Sequence, residues 1–149
     1  GFVGDVVSVQ HDIIEQLSAQ GWIPVISPIG IDVEGQRYNI NGDIAASAIA
    51  SVLRAKLCFV SDIPGIRVGK GDDSEVLASA TKEELENLIE TGQITGGMIP
   101  KVRAAIDGLV HDVPEVVIIN GMVEGSLLDY INGKEVGTKL IAKEYINHG

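Results

Sequence analysis

The feature that most constrains this chain is a repeated alternation between short, β-branched apolar runs and helical stretches. "KLCFV" (56–60) and "EVVIIN" (115–120) are apolar at nearly every position, not every second one. A strand covered on only one face alternates apolar and polar residues, so continuous runs imply cover on both faces. Between and around them lie helical patterns. Residues 43–55 carry Ile44, Ala48, Ile49, Val52 and Leu53 at near-3.6 spacing, with small Ala and Ser residues on the remaining faces. "TKEELENLIETG" (81–92) opens with a capping pair, Thr81 and Glu84, and stops at Gly92. "MIPKVRAAIDGLV" (98–110) reads as a further helix. Such alternation predicts an α/β fold, a three-layer sandwich around a mostly parallel central sheet.

The remaining segments fill in that scheme. "GDVVSVQ" (4–10) is expected to be a strand, and "HDIIEQLSAQG" (11–21) a helix ended by Gly21. "WIPVISPIG" (22–30) is expected to be a buried strand, and "IDVEGQRYNI" (31–40) a hairpin turning on Glu34-Gly35. "KLCFVSD" is expected to lie centrally in the sheet, followed by a Gly-rich loop or hairpin at 63–76. A short helix at 125–132 and a strand at 137–142 complete the pass. No repeat or linker divides the 149 residues, so one domain is expected. The opening "GFVGDVV" has no Met and suggests the later part of a longer protein.

Composition narrows the partners. A net charge of −10 argues against nucleic acid, because phosphate backbones require clustered Lys and Arg. One local cationic site still suits a small anion. The single cysteine, Cys58, excludes an internal disulfide, sits in an apolar run as an expected buried thiol, and points to a cytoplasmic setting, or an organelle stroma in a eukaryote. No apolar run reaches the ~18 residues of a membrane span, so no membrane association is expected. His11, His111 and His148 are scattered and suggest no metal site.

Three polar clusters stand out against this apolar frame. In "YNINGDIAASAIA", Asn39, Asn41 and Asp43 alternate at the start of a helix. Asn and Asp are favoured caps, yet three exceed the need of one helix. A carboxylate at a helix start is stabilised as an anion, and its natural partner is a cation. In "TGGMIPK", Gly96 and Gly97 precede Lys101, whose charge opposes the dipole of the helix it begins. A solvated lysine and one aimed at a ligand's negative group both fit. In "FVSDIPGI", a strand runs into Ser61-Asp62 and a Pro64-Gly65 turn, either a simple turn or a ligand loop beyond a strand's carboxyl end. Neither G-x-x-x-x-G-K-[ST] nor a strand-borne G-x-G-x-x-G occurs.

Taken in order, "GFVGDVVSV", "IPVISPIG", "YNINGDIAASAIA", "FVSDIPGI", "TGGMIPKVRAA" and "VGTKLI" resemble the amino-acid kinase superfamily, and within it the branch acting on N-acetylglutamate. The resemblance implies transfer of the γ-phosphoryl of ATP, with its Mg2+, to the side-chain carboxylate of N-acetyl-L-glutamate in arginine biosynthesis. It implies catalytic roles for Asp43, which orients lysines, and Lys101, which stabilises the transferring phosphoryl. Substrate would meet Asn39 and Asn41, and nucleotide would lie along Asp62, Ile63, Pro64, Gly65, Ile66 and Arg67 and along Gln93, Ile94 and Thr95. The family's Gly-rich stretch, second lysine and substrate-binding arginine have no match here. Residues 1–149 are therefore expected to be the nucleotide-binding portion, inactive alone and prone to form a homo-oligomer. A related kinase of another acidic amino acid, or a kinase-like regulatory domain, are the competing expectations.

Overall fold

A computed structural model describes residues 1–142, so His148 lies outside the described residues. In chain order the elements are α1 (Asp12–Ala19), β1 (Ile29–Ile31), β2 (Arg37–Asn39), α2 (Gly42–Leu53), β3 (Leu57–Ser61), β4 (Arg67–Val68), a 3-10 turn (Gly71–Asp73), β5 (Glu75–Val76), β6 (Ser79–Thr81), α3 (Lys82–Glu90), α4 (Met98–Val110), β7 (Val116–Asn120), α5 (Ser126–Ile131) and β8 (Thr138–Ile141). The central sheet has the order β3-β7-β8-β6. β3 runs parallel to β7, and β6 runs parallel to β8. Within the central sheet, among the described residues, only the β7–β8 pair is antiparallel. The fold is thus α/β with a mostly parallel sheet flanked by helices.

The period of two along each strand assigns its faces. Leu57, Phe59, Val116, Ile118, Leu140 and Ala80 point to one side, into a core shared with Leu85 and Leu88 of α3 and Val102, Ala105 and Ile106 of α4. Val117 and Ile119 are equally buried on the opposite face, where α5 packs. This two-sided cover is why "EVVIIN" shows no polar alternation. Local signals hold as well. Thr81 and Glu84 form the reciprocal capping box of α3. Gly35 takes φ +87° in the β1–β2 turn, where the Asp32 carboxylate accepts from the Glu34 and Gln36 amides.

Several expectations are corrected. Residues 4–10 form no strand: only Phe2 and Gly4 exchange backbone bonds with Asn39, and Val7 is 97% exposed. A lone extended segment with no neighbour leaves its ladder groups to water. Residues 22–28 are likewise neither strand nor buried, with Val25 96% exposed. Pro24 and Pro28 each remove a backbone donor there. β3 is an edge strand of the described sheet, not a central one, and Cys58 is half-buried. Burial still pushes the Cys58 thiol up. On α2 the expected apolar stripe is reversed, because Ile44 and Val52 face outward while Ser47 and Ala50 are buried.

At the start of β7, the Glu115 carboxylate accepts a hydrogen bond from the Tyr130 hydroxyl and lies 3.2 Å from Lys139 Nζ and 3.8 Å from Lys56 Nζ. The Tyr130 bond, then the lysines, hold the Glu115 carboxyl below its ordinary 4.5. A depressed carboxylate stabilises the fold above its unfolded pKa, and that contribution is lost as pH falls through the folded value. Glu115→Gln should therefore be less stable than wild type at neutral pH, with the gap closing below 4.5. Urea midpoints across that range are the check; a gap independent of pH would contradict the assignment.

Candidate active site

The site begins with a helix cap. Asn41 Oδ1 accepts from the Asp43 and Ile44 amides at 2.9 and 3.1 Å, satisfying two donors at the start of α2. Asp43 then occupies the first turn. One turn later Ser47 faces α4, and its hydroxyl donates to the Ala104 carbonyl at 2.9 Å. Farther along, the Ser51 hydroxyl donates to the His111 carbonyl. A Cβ at Gly108 would lie 3.0 Å from Ser47 Oγ and 3.2 Å from Val113 Cγ2. The small residues of α2 thus admit α4, where a close approach to the sheet was expected.

That approach assembles the charged pair. Asp43 lies one turn before Ser47, and Lys101 one turn before Ala104. The Lys101 ammonium is 2.7 Å from Asp43 Oδ1, with the two side chains 17% and 25% exposed. It also sits 4.9 Å from the centre of the ring of Phe59, the middle residue of β3. A cation in the first turn of a helix is disfavoured by about 0.3–1 kcal/mol. The carboxylate and the ring face offset that cost; a cation–π contact contributes about 0.5 kcal/mol or more. An ammonium has three donors. Asp43 takes one, and among the described residues no other hydrogen-bond partner of Lys101 Nζ occurs.

The other predicted residues fall into place unevenly. Asn39 ends β2 and is exposed. Asp62, Ile63, Pro64 and Gly65 turn the chain beyond β3, with Asp62 exposed and Gly65 buried at φ +134°. Arg67 donates to the Ser74 hydroxyl at 3.0 Å and to its carbonyl, which holds it along the β4–β5 hairpin. Gln93 and Thr95 are exposed just before α4. Ile66 and Ile94 are core residues, so only their backbone can face a ligand. Phe59 was missed, because an aromatic in a buried strand reads as core. His11, Asp12 and Glu15 bring ligand atoms within 4.8 Å on the exposed start of α1, a spacing within one helical turn that was also missed. The Glu15 hydrogen bond raises the His11 pKa.

The pair thus leaves a half-buried ammonium between the first turns of α2 and α4, over the ring of Phe59 in β3. Residues 1–120 match the Amino acid kinase family, and the chain belongs to it. It is 48% identical over 141 residues to an acetylglutamate kinase of Geobacillus stearothermophilus, covering 94% of this chain and 52% of that protein. Among solved structures, smu.665 of Streptococcus mutans superposes with TM-score 0.78 at 30% identity, over 95% of this chain and 51% of that one. A carbamate kinase of Giardia lamblia bound to AMP-PNP gives TM-score 0.66 at 25% identity, over 90% and 45%. The chain spans about half the length of the curated relatives it matches.

Because a Cβ at Gly108 would already crowd Ser47 and Val113, Gly108→Val should force α2 and α4 apart. Overpacking of this kind costs about 1–3 kcal/mol, readable as a lowered urea midpoint. An unchanged midpoint would show that the two helices do not depend on that close contact.

Proposed function

We propose that this chain is the nucleotide-binding part of an enzyme that transfers the γ-phosphoryl group of Mg-ATP to the side-chain carboxylate of N-acetyl-L-glutamate, a step of arginine biosynthesis. The observation that carries the reading is the Asp43–Lys101 pair at 2.7 Å, held over the Phe59 ring of β3. Its relatives named acetylglutamate kinase support the substrate, and the AMP-PNP in a structural neighbour supports a nucleotide.

The chemistry suits the residues. The acceptor carboxylate is already ionised at neutral pH, so no general base is required. Phosphoryl transfer then depends on alignment and on stabilising the charge that builds on the transferring group. Lys101 supplies a cation whose remaining donors face that charge, and Asp43 fixes its position before the reaction begins. Asn39 contacts substrate without adding negative charge. Asn41 shapes the same corner through its cap. The backbone of 62–67 and 93–95 lines the nucleotide.

The second catalytic lysine and the substrate arginine are supplied, on this reading, by the half of the fold that the relatives have and these residues do not match. The exposed edge of β3 and the apolar side chains of Ile23, Val25 and Val60 support cover by further polypeptide. A cytoplasmic homo-oligomer completes the proposal. Among the described residues no helix is long and apolar enough to cross a membrane.

In a protein carrying both halves, Asp43→Asn and Lys101→Met should each lower kcat by roughly 10²-fold, about 2.7 kcal/mol of transition-state stabilisation. Steady-state kinetics at saturating substrates are the test. A rise confined to the KM for ATP would make Lys101 a ground-state binder. Residues 1–149 alone should bind Mg-ADP by calorimetry yet release no ADP from ATP with N-acetylglutamate. Robust turnover by this chain would overturn the division of labour.

A further inference from the structure

We infer that Thr138 is a positioning residue whose buried hydroxyl clasps both ends of the β4–β5 hairpin and so fixes the 62–67 loop against a bound adenine nucleotide. The inference rests on the nucleotide-binding reading above. β4 and β5 form a separate two-stranded sheet with no ladder to the central one. Their placement therefore depends on a few contacts at the hairpin's base. Thr138 Oγ1 accepts from the Ile66 amide at 2.9 Å and donates to the Leu77 carbonyl at 2.6 Å. The Leu77 amide in turn donates to the Ile66 carbonyl at 2.7 Å, closing a ring of three bonds.

Thr138 itself is anchored. It is fully buried in β8 and pairs in register with Ile118 of β7. Two glycines make the approach possible. A Cβ at Gly65 would lie 2.7 Å from Thr138 Oγ1, and one at Gly137 would lie 1.9 Å from the Ile118 carbonyl oxygen. One hydroxyl thus indexes the loop after β3 to the middle of the sheet. Packing does not require that hydroxyl, since Val fills a similar shape. Val would leave the Ile66 amide and the Leu77 carbonyl without the side-chain partner they share, in a buried place where unmade bonds are costly.

The test compares wild type, Thr138→Val and Thr138→Ser by Mg-ADP calorimetry and amide hydrogen exchange. Thr138→Val should weaken Mg-ADP binding about tenfold, the effect of one lost hydrogen bond, and speed exchange at Ile66 and Leu77 while Val116 and Ile118 stay protected. Thr138→Ser, which keeps the hydroxyl, should restore both. Equal Mg-ADP affinity in wild type and Thr138→Val, or a uniform loss of protection across the sheet, would reduce Thr138 to a packing residue and overturn the inference. Should Thr138→Val not fold, wild type alone decides: added Mg-ADP must slow exchange at Ile66 and Leu77, and no change there overturns the positioning role. A wild-type chain that binds no Mg-ADP defeats the nucleotide reading itself, and is distinguished from the other failures by its flat titration.

Discussion

The close contact of α2 with α4 is the constraint on which the site depends. Ser47, Ala50, Ala104, Ala105 and Gly108 are small and buried, and the Ser47 hydroxyl spends its hydrogen bond on a backbone carbonyl of the facing helix. Long apolar side chains at these positions would bury more area, yet they would hold the two helix axes apart. Each helix carries its charged residue one turn ahead of the contact, so the separation of the helices sets the separation of the charges. Asp43 and Lys101 meet without reaching, and little rotamer freedom remains to be lost when a ligand arrives.

That geometry also bears on how an acidic chain could serve the proposed phosphoryl site. The net charge of −10 repels phosphate at long range. Surface charges farther away than about a Debye length, ~8 Å at physiological salt, are screened. A partly buried ammonium over the Phe59 ring is screened far less. Asp43 offsets that charge but occupies only one of the three donors of the ammonium.

The helices after residue 42 and strands β3, β7 and β8 were legible because each carries its own local signal, whereas β6 (Ser79–Thr81), short and made of small residues, carries none and was not predicted. The two-sided apolar run of β7, the Thr81–Glu84 box and the Gly35 turn need no knowledge of distant parts of the chain. The misreadings lie where an element depends on a neighbour. Residues 4–10 have strand-like composition, but a strand exists only when something pairs with it. The face of α2 was misassigned because size was taken to mark the core, whereas Ser47 and Ala50 are buried for being small. The meeting of Asp43 with Lys101 was expected from charge and from resemblance. Phe59 and Thr138 were not found, since an aromatic in a strand and a Gly-Thr pair before one have ordinary structural readings.

The most direct measurement is a double-mutant cycle on stability with Asp43→Asn, Lys101→Met and the two combined. If the helix contact presses the pair into a shielded place, the coupling should reach about 1 kcal/mol or more, above the 0.2–1 kcal/mol usual for exposed pairs. It should also shrink in Gly108→Val, where the helices are forced apart. A coupling near zero, or one indifferent to Gly108→Val, would contradict the view that helix packing sets the charged geometry of the site.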